Sequence, residues 1–262
     1  MTEFKVNGLV LFDREIGEND KLLTILTEHY GKLFVIAKGV KSVKNRNMCC
    51  SHIFCYASFD IRRKGNYYYL VDSDLIESFF SVRNDILKLA LASYICDVVS
   101  FVAQEGIAED EILRLALNTI YAISKDKYEL EMIRAAFQLR VVSELGMSPD
   151  VYSCSKCGCD DSLSGYLDLV DGVIICDECR KNNDFKVEEN SFTERGLQKP
   201  IALYNNNVLN AVKYTVGADI KRFLSFNLDE NECKLFYDLS EKFLLNQLER
   251  SFYSLEFYKT LM

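Results

Sequence analysis

Hydrophobic and polar positions follow two periods along this chain, and the change falls near residue 80. Before it, residues 4–12, 21–26, 32–38, 54–62 and 67–71 are short runs rich in β-branched and aromatic side chains, the signal of half-buried strands. Glu18-Asn19-Asp20, Tyr30-Gly31 and Lys64-Gly65-Asn66 supply the turns between them. Residues 39–48 are too polar for a core strand, so five short strands and one long basic loop predict a small closed or partly open barrel. From Val82 onward the spacing becomes helical. Ile86, Leu89, Ala90, Ser93 and Cys96 to Val102 make one apolar face that stops near Gly106. Ile112, Leu115, Ala116, Ile120 and Ile123 make a second after the acidic start Glu109-Asp110-Glu111, and Met132, Ala135, Ala136, Leu139, Val142 and Leu145 a third closed by Gly146. Weaker helical stretches cover 191–204 and 208–214, and a stronger one 229–250. Ser191 with Glu194, and Asp229 with Glu232, stand at capping-box spacing.

The expectation is an α+β protein: a β-barrel domain over 1–80, then a helical domain over 81–262 with a cysteine segment inserted at about 150–182. Composition supports a folded chain, since about half of the 262 residues are apolar and a quarter charged. No Pro- or Gly-rich linker separates the halves. The N-terminus lacks the basic head and apolar core of a signal peptide. The most apolar stretch, 87–103, is interrupted by Lys88 and Asp97 and reads as a buried helix, not a membrane span. Several of the ten cysteines sit in apolar runs, which suits a reducing cytoplasm better than a secreted disulfide framework. Cys49, Cys50, Cys55, Cys96 and Cys233 read as buried or partly buried small apolar residues.

Two C-x-x-C knuckles, Cys154 with Cys157 and Cys176 with Cys179, carry the sharpest chemistry. A tight turn aims each pair of thiolates at one point, and the separation between pairs lies in the range of zinc ribbons. Gly165-Tyr166-Leu167-Asp168-Leu169 and Gly172-Val173-Ile174-Ile175 predict a hairpin that brings the knuckles together. Four thiolate ligands leave no position for water or substrate, so the expectation is one structural zinc per chain. Cys159 is a competing ligand two residues from Cys157, and unmetallated cysteines or a redox dithiol pair are the alternatives.

Net charge is −8, which at first argues against a polyanionic partner. Its distribution changes the picture, because between residues 32 and 64 the only acid is Asp60. Lys38, Lys41, Lys44 and Arg46 recur every two or three residues, and Arg62, Arg63 and Lys64 precede Tyr67, Tyr68 and Tyr69. Such cations can follow a phosphate backbone, with Tyr67 and Tyr69 stacking on bases; the alternative is a solvated loop beside core tyrosines. Enzyme chemistry finds no foothold. The chain has no G-x-x-x-x-G-K-[ST] loop, and neither His29 nor His52 singles out a nucleophile.

Taken in order, several segments carry a resemblance: Gly17-Glu18-Asn19-Asp20-Lys21-Leu22-Leu23 with Gly31-Lys32-Leu33, Ala37-Lys38-Gly39-Val40-Lys41, and Phe137-Gln138-Leu139-Arg140. Leu145-Gly146-Met147-Ser148-Pro149 then leads into the first knuckle, and Arg250-Ser251-Phe252-Tyr253-Ser254-Leu255 closes the chain. In this order the chain resembles the RecO family of bacterial recombination mediators along its whole length. The resemblance implies an N-terminal OB-fold, a helical domain with a zinc ribbon, and binding and annealing of single- and double-stranded DNA. It also implies association with RecR, loading of RecA onto DNA coated by single-stranded DNA-binding protein (SSB), and a cytoplasmic, nucleoid-associated setting. If the helical domain docks the acidic tail of SSB, Arg134 and Arg140 are candidate cations for its terminal carboxylate. The rival readings are a zinc-ribbon interaction module without DNA contact and a thiol oxidoreductase.

Overall fold

The structure, a computed structural model, describes residues 2–160, 164–181 and 201–262. Five strands, β1 (Thr2–Ile16), β2 (Asp20–Thr27), β3 (Gly31–Ala37), β4 (Tyr56–Lys64) and β5 (Tyr67–Glu77), form a closed barrel in the order β1-β2-β3-β5-β4. β1 is long enough to serve two neighbours. Residues 2–9 pair with β4 and residues 8–16 with β2, and a register shift between Val10 and Phe12 bends the strand. Parallel pairing of β3 with β5 at Val35–Tyr68 and Ile36–Tyr69 closes the circuit, which is an OB-like arrangement. Two-residue alternation decides what goes inside: Ala57, Phe59 and Ile61 of β4 are buried while Ser58, Asp60 and Arg62 keep solvent access. Val10, Leu23, Ile25, Val35 and Cys55 complete the same core.

The chain divides into two compact units, Met1–Lys127 with Phe252–Met262, and Tyr128–Ser251. The change of period expected near residue 80 falls between β5 and the first helix. In the first unit the barrel is joined by α1 (Ile86–Val102) and α2 (Asp110–Ser124), with Asp85 capping α1 through the Leu87 and Lys88 amides. The chain's last helix, numbered α7 below, returns here.

In the second unit α3 (Leu130–Glu144) leads into a three-stranded sheet ordered β7-β6-β8. Its strands are β6 (Ser164–Asp168), β7 (Val173–Cys176) and β8 (Ile201–Asn205), with the one-turn α4 (Asp177–Lys181) directly after β7. α5 (Asn206–Gly217) and α6 (Glu230–Gln247) follow, and both pack on α3. Asp229 and Glu232 form the expected capping box at the start of α6. The helical expectation over 191–204 is corrected at its end, where Ile201–Asn205 is a strand. Ala202 and Tyr204 are buried, Leu203 faces out, and β6 offers a free edge to pair with, so tertiary pairing overrides the local period. The Ser191–Glu194 capping pair lies outside the described residues. α7 (Tyr253–Thr260) then buries Phe252, Leu255 and Tyr258 in the first unit, with Phe252 set edge-on against Tyr94 and Phe101.

Candidate functional site

The cysteine site is built by one hairpin and one loop. The expected hairpin forms, with Gly165 opposite Cys176 and Asp168 opposite Val173. The approach is so close that a Cβ on Gly165 would lie 2.2 Å from the Ile175 carbonyl oxygen, so only glycine fits. The first knuckle docks on this hairpin through the Ser155 amide, which donates to the Ile174 carbonyl at 2.9 Å. Its own turn is closed by the Gly158 amide donating to the Cys154 carbonyl at 2.8 Å, with Gly158 at a φ of 72°.

These elements bring Cys154, Cys157, Cys176 and Cys179 together, with all four sulfurs within 4.8 Å of one another. The Cys154–Cys179 and Cys157–Cys176 separations are 3.9 and 3.7 Å. A tetrahedron with metal–sulfur bonds of about 2.3 Å has sulfur–sulfur edges of about 3.8 Å, so the donor set fits a thiophilic metal such as zinc. Local dipoles favour thiolate. Burial pushes the Cys154 thiol up, but amides including those of Cys157 and Cys176 outweigh it and bring it down to about 6. Cys157 is lowered, first by a backbone hydrogen bond from Cys159, while Cys179 is raised, first by its contact with the Cys157 sulfur. Four such sulfurs cannot all ionise side by side without a cation between them. Cys159 stands outside the group of four.

Three of the predicted basic residues, Lys38, Arg62 and Lys64, come together on the barrel surface. Lys38 directly follows β3, whose parallel pairing places Ile36 beside Tyr69. Arg62 and Lys64 of β4 oppose Tyr69 and Tyr67 of β5. Lys38, Arg62, Lys64, Tyr69, Leu70 and Val71 line a surface groove of about 470 Å³, and the Lys38 ammonium lies 5.5 Å from the Tyr69 ring centroid. The strand period divides the three tyrosines. Tyr68 packs against the barrel core, whereas Tyr69 lines the groove and Tyr67 is largely exposed. Arg63 lies over the Tyr68 ring and donates to the Gly65 carbonyl.

Residues 39–48 form turns ending in a short 3-10 turn at Arg46–Met48. Asn47 is buried there, and its side chain donates to the Val71 carbonyl and accepts from the Ser73 hydroxyl, so the loop is tied to β5. Charge counting along the chain misses the acids that folding brings in. Arg62 Nε donates to Glu3 at 2.6 Å, Lys41 pairs with Glu15 at 2.9 Å, and Arg46 pairs with Asp72. The Lys41 ammonium holds the Glu15 carboxyl below its usual range. Among the described residues Lys38, Lys44, Arg63 and Lys64 form no ion pair with a carboxylate. One signal was available in the sequence: once strands 1 and 4 are placed antiparallel, an acid on one can oppose a base on the other.

Arg134 and Arg140 are not solvated helix charges. Arg134 is 3% exposed and donates through both Nε and Nη2 to Glu131, and through Nη1 to Glu241 at 2.7 Å and Gln138 at 3.0 Å. Arg140 pairs with Glu144 and donates to the Val216 and Ala218 carbonyls at 2.7 and 2.8 Å, satisfying the C-terminal end of α5. An incoming carboxylate would have to displace these partners.

Comparison with known proteins agrees with this architecture. The family described as "Recombination protein O N terminal" matches residues 1–79, and "Recombination protein O C terminal" matches 83–256. A DNA repair protein RecO of Acetivibrio thermocellus is 30% identical over 263 residues, covering 100% of this chain and 98% of the relative. The RecO proteins of Alkaliphilus metalliredigens and Clostridium novyi are 31% and 28% identical, covering 72% and 83% of this chain and 77% and 83% of those proteins. With a barrel, a four-cysteine knuckle pair and matches spanning both parts of the sequence, this chain belongs to the RecO family.

Proposed function

We propose that this chain is a non-enzymatic DNA-binding mediator of recombinational repair, whose barrel binds single-stranded DNA along the groove between Lys38 and Lys64. The carrying observation is the convergence of Lys38, from the end of β3, with Arg62, Lys64 and Tyr69 of the β4–β5 hairpin on one groove. Cations there neutralise phosphates and Tyr69 offers a face on which a base stacks, with little sequence preference. Lys41, Lys44, Arg46 and Arg63 extend the basic surface, and Tyr67 is a second stacking face. Zinc at Cys154, Cys157, Cys176 and Cys179 is structural in this reading: it would hold the knuckles on the hairpin, and no reaction step passes through it.

Family membership supports the finer assignments: annealing of complementary strands, binding to duplex DNA, association with RecR, contact with the SSB tail, and loading of RecA in the cytoplasm. No helix among the described residues is long and apolar enough to cross a membrane. For the SSB tail, Arg134 and Arg140 act as carboxylate anchors only if their internal partners yield. The deciding experiment is a fluorescence-anisotropy titration of the metal-loaded chain with labelled oligo-dT at several salt concentrations. The expected result is saturable binding whose logarithm falls linearly with log salt, by about 0.7 for each phosphate neutralised. Absence of binding at low salt favours the rival, an interaction module without DNA contact.

A further inference from the structure

Three ion pairs hold cations of the basic segments, and one of those cations, Arg62, lines the groove. Each joins a cation of the basic surface to an acid supplied by a different strand, β1 for Glu3 and Glu15 and β5 for Asp72. The placement follows from barrel closure: in the β1–β4 register Glu3 stands directly opposite Arg62, an adjacent cross-strand pair. Both side chains of the Arg62–Glu3 pair are well exposed, while Lys41 and Asp72 are partly buried with their partners Glu15 and Arg46 largely in solvent. Exposed pairs of this kind hold together weakly and exchange readily for another anion. A phosphate presents the same charge and acceptor chemistry as the carboxylate it would replace.

We propose that Glu3, Glu15 and Asp72 are built-in competitors for nucleic-acid phosphate, holding Arg62, Lys41 and Arg46 until a strand displaces them. The cations then fall into two sets. Lys38 and Lys64, free of carboxylates, receive the strand first at the groove. Arg62, Lys41 and Arg46 engage only by exchanging partners, so the acids set affinity and salt dependence as much as the bases do. This inference rests on the groove being a DNA site, and its test separates the two.

Glu3→Gln, Asp72→Asn and Glu111→Gln variants of the metal-loaded full chain are titrated with labelled oligo-dT longer than the roughly 4 to 16 nucleotides that one OB fold covers. Glu111, paired with Arg114 on α2, controls for the change in net charge. Glu3→Gln and Asp72→Asn are expected to tighten binding about two- to five-fold each, with unchanged melting temperature, and Glu111→Gln to have a smaller effect. In an Arg62→Ala background, Glu3→Gln is expected to change binding no more than Glu111→Gln does, because the competitor then has no cation to hold. Equal effects of all three variants, or a Glu3→Gln effect that survives Arg62→Ala, would overturn the proposal while leaving the DNA site intact. Failure of the wild-type chain to bind at all overturns both.

Discussion

In the cysteine cluster four identical donors, drawn from two short segments, face one point and leave no position open. In the barrel groove the cations come from the end of β3 and from β4, share their space with a tyrosine and two apolar side chains, and stand beside cations already held by protein carboxylates. A metal–thiolate site depends on bonds with a fixed length and angle, so residue spacing and one hairpin nearly define it. A phosphate-binding surface depends on long-range, screened attraction, so it tolerates loose geometry but feels every charge within a Debye length of about 10 Å. The cysteine cluster is therefore set by spacing, whereas the charge of the basic surface also depends on acids brought in from β1 and β5.

The comparison can be broken most forcefully at the metal. Cys176→Ser removes one of four ligands and is expected to abolish stoichiometric zinc, as measured by metal analysis, and to melt the 154–179 region in hydrogen exchange. Structural zinc contributes apparent free energies of about 10 to 16 kcal/mol in isolated fingers, so even partial coupling gives a large loss. Full zinc occupancy in that variant would refute the four-ligand assignment.

Next in size is Arg134→Ala. It removes the cation that the Glu131 and Glu241 carboxylates share, and loss of one partner from a buried pair costs about 3 to 5 kcal/mol. Urea denaturation measures it. A variant of wild-type stability that has lost binding of an acidic peptide would instead show Arg134 to be a docking residue.

Within the groove, Tyr69→Ala is expected to weaken oligo-dT binding by about 1 to 3 kcal/mol with an unchanged salt slope, since stacking releases no counterions. The smallest effect sharpens the distinction between free and paired cations. Replacing Lys38 and Lys64 together is expected to flatten the slope by about 1.4, whereas Lys41→Ala, already shared with Glu15, changes it by less than about 0.7. Equal slope changes per lysine would show that the ion pair with Glu15 has no influence.

Legibility in the sequence tracked the range of the forces involved. The five strands, the capping box at Asp229 and the hairpin between the knuckles all formed at the expected places in the chain, although β1 and β5 run several residues longer than their apolar runs and β4 starts at Tyr56. The strand at Ile201–Asn205 was not legible, because its conformation is decided by the edge of β6. Cys49 shows the same limit: expected as a buried or partly buried small apolar residue, it is exposed, unlike its neighbour Cys50. The internal pairing of Arg134 was not legible either, because Glu241, one of its partners, lies on a helix more than a hundred residues later.

The sequence by itself determined the α+β order of elements, the four cysteines that cluster and the presence of a basic segment, since these rest on period, spacing and local composition. Only the tertiary structure decided which tyrosine reaches the groove, which cations are already neutralised and which arginines are buried. Those outcomes depend on strand register and helix packing, which bring together charges from distant segments, and no local pattern carries that information.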